Sequence, residues 1–445
     1  MNSSSAFNGR LRKWLTDYSM ILVLLLLVVA FSVLTIQSQS PSGAAAGLSV
    51  AAEALERLTP DSRVLIVAPA GKDDVAFVDA AKSALIARGI SSVITVAGSP
   101  REARETLDSQ PDRSQISAVL VTEASSQWTV FERYPELKRE LFYAPSASRW
   151  PVFLKSANLI GVANQTAMYA IIAIGMTMVI ITGGIDLSIG SIVALSSVIC
   201  TLLLRRFGAG SEPSLVPVSL AVAIAVAVAG MAGAFSGTMV TLGKLPSFIV
   251  TLAMMLMARG LAEQLSKQQS IKVESTLFRE IGGGSILGLP NPVWLMLVLY
   301  AIAQFTMSQT VFGRRLYAIG GNAVAARLCG IPVETTRLLV FTITGALAGL
   351  GGVLLSSRLD AGDFKYGDMW ELEVIAAVVV GGCSLMGGEG RMFGTLIGAF
   401  IIAVIRNGMN LMGVDSSSQK MVLGAVLLCS VLIDQIKRRW QRRSA

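Results

Sequence analysis

The chain has 445 residues, of which 53% are hydrophobic and only 15% charged, with 42 glycines and a formal net charge of +8. A soluble chain carries about 25% charged residues, so a water-covered globule, a disordered chain and a disulfide-stapled scaffold are excluded. What fits is a polytopic membrane protein with glycine-lined helix packing. Histidine is absent, which removes imidazole metal ligands, general bases and proton relays. Cys200, Cys329, Cys383 and Cys429 show no CxxC spacing and indicate neither a zinc site nor a disulfide framework.

The first apolar run, Tyr18 to Ile36, follows Arg10, Arg12 and Lys13 and is long enough for a membrane helix. Ala44 and Ala46 form an A-x-A pattern, but too far beyond the run for a signal-peptide cleavage site to be the better reading. Residues 1–36 are therefore read as an N-terminal segment and first span. Residues 41–150 hold 12 Lys/Arg and 14 Asp/Glu, close to the soluble norm, and read as one soluble insertion. Within it, Arg63–Ala68, Ser92–Ala97 and Ile116–Thr122 predict strands. Asp73–Arg88, Pro100–Leu107 and Val130–Leu141 predict helices, with Asp73 as an N-cap and Gly89 just past a helix end. The β-α alternation predicts a small parallel sheet, joined through linkers at 38–43 and 145–151. Neither G-x-G-x-x-G nor a P-loop is present: Gly237 to Lys244 has one residue too many between its glycines.

Nine further apolar spans are read at 158–182, 188–204, 215–241, 247–263, 291–310, 337–357, 371–387, 392–411 and 419–436. The expected fold class is thus an α-helical polytopic membrane protein of about ten transmembrane helices with a small exported α/β insertion between helices 1 and 2. An even count puts both termini on one side. Lys/Arg-rich short loops and the basic tail 438–445 make that side cytoplasmic, and residues 37–150 exported.

Three segments interrupt the apolar pattern. Thr182–Ser191 brings paired glycines, one carboxylate and two hydroxyls between two spans. Freed backbone groups survive at membrane depth only inside protein or against water. Gly184, Asp186, Ser188, Gly190 and Ser191 are accordingly candidates for a translocation path or gate. The alternative is a loop in which Asp186 caps the next helix. Gly381–Gly390, just after Glu371 and Glu373, echoes the first segment, as an internal repeat or from a shared need for close helix approach. Glu371 and Glu373 either join the path or cap and pair locally. Asn407 and Asn410, at i, i+3, either line the path or bond between helices. In the third segment, Gly313–Ile331, Asn322 is positioned to cap a short helix, Ala323–Cys329, that Gly330 ends.

The segments GGIDLSIGS, GRRLYAIGGNAVAARLCGI, ELEVIAAVVVGGCSLMGGEG and GTLIGAFIIAVIRNGMNLMGV resemble the membrane permease subunit of ribose-type, monosaccharide ABC importers, loosely over 1–36 and throughout 157–437. That resemblance implies a homodimer of ten-helix permeases in the bacterial inner membrane, a cytoplasmic ABC ATPase, an exported periplasmic sugar-binding protein and a monosaccharide substrate. It implies no enzymatic activity, no cofactor or metal bound by this chain, ATP used by the partner subunit, contact with membrane lipid and none with nucleic acid. It also implies that the 313–331 loop, with Gly313, Arg314, Arg315, Tyr317, Gly320, Asn322, Ala325, Ala326 and Gly330, holds the helix seated in the ATPase. Cys383 stands where the family usually has Thr or Ser, and Asp415–Ser418 replaces an often aromatic stretch. The insertion resembles the first β-α units of a periplasmic sugar-binding lobe, too short to close on a sugar, and serves as a docking surface or a spacer. A membrane-anchored sensor is the alternative reading of the whole chain.

Overall fold

The structure, a computed structural model, describes residues 20–110, 112–208 and 214–444. Arg10, Arg12 and Lys13 lie outside them. The chain divides into two units, residues 36–151 and the remainder.

The smaller unit opens and closes with an antiparallel ribbon, β1 (Ile36–Gln39) paired with β6 (Ser148–Pro151). The stretches read as loose linkers are thus partly strand. Between them run α2 (Gly43–Leu55), β2 (Arg63–Ala68), α3 (Lys72–Ala87), β3 (Ser92–Ala97), α4 (Pro100–Asp108), β4 (Ile116–Val121), α5 (Glu123–Ser126) and β5 (Phe142–Tyr143). The sheet is four-stranded and parallel, in the order β3-β2-β4-β5. Alternate residues of β2 feed two cores: Val64 and Ile66 meet α2 and α3, while Leu65 and Val67 meet α4 and the segment after α5. A strand buried on both faces must be apolar throughout, and RVLIVA after its first residue is.

Ala44 and Ala46 lie inside α2, where Ala46 is fully buried and Gly47 stands against the Phe77 carbonyl with no room for a Cβ. Two readings within this unit need correction. The N-cap of α3 is Gly71, leaving Asp73 in the first turn. The expected third helix is instead two 3-10 turns, Thr129–Arg133 and Arg139–Leu141. Pro135, which has no N–H, lies between them.

The larger unit is helical: α1 (Met20–Leu34), α6 (Ser156–Ile181), α7 (Ile189–Phe207), α8 (Leu215–Thr241), α9 (Ser247–Ser266), α10 (Thr276–Gly283), α11 (Asn291–Gln309), α12 (Val311–Gly321), α13 (Ala323–Leu328), α14 (Val333–Leu359), α15 (Trp370–Val380), α16 (Met392–Leu411) and α17 (Ser416–Ser444). Seven described helices, α6, α7, α8, α9, α11, α14 and α16, are long and apolar enough to cross a membrane. The predicted span 371–387 is cut short: α15 has 11 residues and ends where Gly382 turns to φ +86. α6 is the most enclosed helix, with 83% of its apolar window buried. Small residues set the closest seams. Gly233 and Gly345 bring α8 and α14 into backbone contact, and Gly175 does the same for α6 against Thr344 of α14.

Candidate translocation and coupling site

Two chain reversals shape the interior of the helical unit. Beyond α6, Gly183 takes φ +77 and the chain runs without helix to Ser188. Both backbone groups of Ile185 are held by the start of α9: its N–H donates to Ser247 Oγ at 3.2 Å, and its carbonyl accepts from Thr251 Oγ1 at 3.3 Å. Asp186 is fully buried. Its Oδ1 accepts from the Ser188 N–H at 2.9 Å and the Ser188 hydroxyl at 2.6 Å, while Oδ2 has no partner among the described residues. Asp186 therefore closes a turn on Ser188, the N-cap position of α7, rather than bonding N–H groups within α7.

The second reversal joins α14 to α15. Ser197 Oγ donates to the Asp363 carbonyl at 3.3 Å, and the Arg259 guanidinium donates to the carbonyls of Phe364 and, at 2.9 Å, Tyr366. The Trp370 ring packs on Tyr169 with centroids 4.5 Å apart. Ser197, Arg259 and Tyr169 each lie near the middle of α7, α9 and α6, so this segment turns back into the bundle.

The reversals touch at Gly190 and Gly367. A Cβ on either would collide with the other's carbonyl oxygen, and Glu371 Oε2 also crowds Gly190. Hence α7 and α15 both begin inside the unit, next to each other. Helix starts carry unpaired N–H groups and partial positive charge, and Glu371 in the first turn of α15 sets a carboxylate between them. In membrane transporters, substrate sites are commonly built where broken helices meet inside the bundle. Ser191 is buried in the first turn of α7.

Glu373 faces elsewhere. Both its oxygens accept from Arg406 at 2.8 Å, and Arg406 also reaches the Tyr169 hydroxyl at 2.7 Å, tying α15, α16 and α6 together. Asn407 exchanges reciprocal amide hydrogen bonds with Asn158 of α6 at 2.8 and 3.0 Å. Asn410 accepts from Gln419 of α17 at 2.7 Å. All three groups bond between helices.

The third segment meets the first two at one end of the unit. Gly320, near the end of α12, abuts the Ile181 carbonyl and Gly388 too closely for a Cβ. The Gly388 N–H donates to the Ile181 carbonyl at 2.9 Å, and the Tyr317 hydroxyl donates to the Gly390 carbonyl at 2.8 Å. The Gly313 N–H is capped by Thr310 at 3.3 Å, with Arg314 exposed and Arg315 half-buried behind it. Next comes α13. Asn322 Oδ1 accepts from the N–H groups of Val324 and Ala325, both at 3.0 Å, and Gly330 ends the turn at φ +80. Ala326 faces inward onto Ile319 and Val333. Ala325 is exposed, and Val324 and Leu328 stand 65% and 85% exposed. An unsupported six-residue helix is marginal; here it is fastened by its cap, by Ala326 and by an Arg327–Glu334 ion pair to α14.

The family model described as branched-chain amino acid transport system / permease component matches residues 158–431. The chain belongs to this family of transport permeases. It is 41% identical over 293 residues to the ribose import permease protein of Escherichia coli (strain K12), covering 65% of this chain and 88% of that protein. It is 42% identical over 289 residues to the ribose import permease protein of Bacillus subtilis (strain 168), covering 64% and 87%. The L-arabinose ABC transporter permease protein of Azospirillum brasilense is 36% identical over 292 residues, covering 66% and 84%. No solved structure matches. As a permease component the chain is a multi-pass membrane transport protein rather than an enzyme. The insertion falls outside the matched range.

Sequence reasoning did not single out Arg259, Arg406 or Gly367. A lone arginine inside each of the spans 247–263 and 392–411 was the available signal, since a membrane-depth cation needs a partner. Gly367 carried none, because only the fold brings Gly190 to it.

Proposed function

We propose that this chain is the membrane-spanning permease of an ABC importer for a monosaccharide, pentoses first. Two copies form the permease, each crossing the inner membrane about ten times, with α1, α15 and α17 completing the seven longer spans. Both termini face the cytoplasm and residues 37–150 are exported. A cytoplasmic ABC ATPase seats on α13, and a periplasmic binding protein delivers the sugar. The observation that carries this reading is α13 itself: a capped, rigidly backed helix whose exposed Val324 and Leu328 form a small apolar knob fit for a groove. Behind it, Gly320, three residues before α13, packs with Gly388 against the Ile181 carbonyl, next to the Thr182–Ser188 reversal. A push on α13 therefore has a stiff path to the meeting of α7 and α15, where Glu371 and the two helix starts present hydrogen-bonding groups to sugar hydroxyls. Such coupling requires two packings of similar energy, biased by nucleotide from one side and binding protein from the other.

Proteoliposomes holding the chain with its ATPase test this. ATP-dependent uptake of one radiolabelled pentose or hexose is the expected result, and absence of uptake for every sugar despite a stable complex sinks the sugar assignment. Repeating the assay without residues 41–150 separates delivery, which the deletion abolishes, from a spacer role, which it leaves intact.

A further inference from the structure

Between α13 and the Thr182–Gly184 stretch lies a cavity of about 880 Å³ whose charged lining the transport reading leaves without a role. Lys244, Arg327 and Arg337 line it, with Glu334 as the one carboxylate. Glu334 is already committed to Arg327. Arg337, half-buried, makes one hydrogen bond among the described residues, to the Thr182 carbonyl at 3.2 Å at the end of α6, and most of its N–H donors have no partner there. Lys244 has neither a salt bridge nor a hydrogen bond among the described residues. It is held at φ +53, a left-handed conformation that non-glycine residues rarely adopt.

Two helices also begin at this cavity. Ser247 opens α9 and Val333 opens α14, and neither start has a side-chain cap. The first turn of α9 has no acidic residue, whereas that of α14 carries Glu334. Three cations against that one carboxylate leave a net positive charge in a partly enclosed space, which an entering anion offsets. The donor set is specific as well: a guanidinium suits paired phosphate oxygens, an ammonium supplies a point charge, and free N–H groups at a helix start complete the usual phosphate environment.

We propose that this cavity is a phosphate-binding site. The phosphate comes from an anionic phospholipid headgroup or from a soluble phosphate. Leu242, Leu245 and Phe248, 74%, 47% and 52% exposed beside Lys244, offer a surface for acyl chains in the first case. The site needs neither the sugar assignment nor the orientation in the membrane.

Native mass spectrometry of the full-length protein, released from vesicles of phosphatidylglycerol and phosphatidylcholine, tests the lipid source. A titration with inorganic phosphate, followed by thermal stability, tests the soluble one. Either probe should bind the native chain, and binding should fall tenfold or more in Lys244→Gln and in Arg337→Gln. Lys244 is exposed, so its variant folds even if that of Arg337 does not. Lys272→Gln removes the same charge beyond the far end of α9, about 30 Å away along that 20-residue helix, and should bind normally. Retention of phosphatidylglycerol alone identifies a headgroup site, and a phosphate-dependent shift alone identifies a soluble ligand. If neither probe binds above the phosphatidylcholine background, or if Lys272→Gln loses as much as Lys244→Gln, the proposal is overturned.

Discussion

At Gly190 and Gly367 a single hydrogen on each Cα decides whether two backbones can meet. The neighbouring atoms are carbonyl oxygens, which cannot rotate away as a side chain would. Gly190→Ala should therefore cost about 3 kcal/mol by forced repacking and lower the melting temperature of the detergent-solubilised protein. Gly161, in the first turns of α6, is the contrast, with no atom within 4 Å of the place a Cβ would take. Gly161→Ala should raise stability by about 0.5–1 kcal/mol in the same melt, since only helix propensity changes. At Asn322 the removed group is a cap shared by two N–H donors. Asn322→Ala should cost α13 about 1 kcal/mol and reduce co-purification of the ATPase while leaving the membrane level of the chain unchanged. In the insertion, the Tyr134 hydroxyl donates to Asp108 at 2.8 Å and, with Arg104 and Arg113 nearby, holds that carboxyl below its usual pKa. A depressed folded pKa means that the stabilisation is present above the unfolded value of about 3.9 and is lost as pH falls through the folded one. Tryptophan fluorescence melts should show this acid loss in the native chain and a smaller one in Tyr134→Phe.

At the scale of elements, the Glu373–Arg406 pair is the clearest case of a contact that only packing explains. Its side chains are 11% and 30% exposed, so neither charge is fully solvated. Removing one partner of a buried pair costs about 3–5 kcal/mol, and the partial exposure of Arg406 places this site toward or below the lower figure. Glu373→Gln and Arg406→Gln should each lower the melting temperature, and the double variant should lie above the sum of the two losses. Additive losses would show that the pair does not act as one. The helical elements were largely legible: the apolar spans 215–241 and 392–411 and the capped short helix Ala323–Cys329 coincide with α8, α16 and α13 to within a residue. Boundaries failed where a local signal was overridden. The run 371–387 stays apolar past Val380, yet the glycine pair turns the chain there. β2 was legible for the opposite reason, since a strand covered on both faces has no polar residue after Arg63 to blur it, while β3, at the sheet edge with Ser92 and Thr95 exposed, was legible from its β-branched residues.

At the scale of the whole molecule, a native cysteine can report orientation without an engineered one. Cys329 is exposed just past α13, whereas Cys200 and Cys383 are buried. In a Cys429→Ser background, a membrane-impermeant maleimide should modify Cys329 in inverted vesicles and spare it in intact spheroplasts. The opposite pattern would reverse the assigned topology. Composition alone was enough for membrane class and for setting 41–150 apart from the rest of the chain by its charge, because these depend on sums over residues. The segments 182–191, 313–331 and 381–390 were each recognisable because glycines and hydroxyls inside apolar sequence are costly unless used. Their convergence was not recognisable. Gly388 meets Ile181 and Gly190 meets Gly367 across more than 170 residues of chain, and glycine leaves no side chain whose pattern could announce its partner. The candidate site therefore divides by the range of its forces. The cap of α13 is a contact between near neighbours and was written in the local sequence. The adjoining starts of α7 and α15, the Arg259 and Arg406 contacts and the basic cavity exist only because tertiary packing brings distant backbone and charge together.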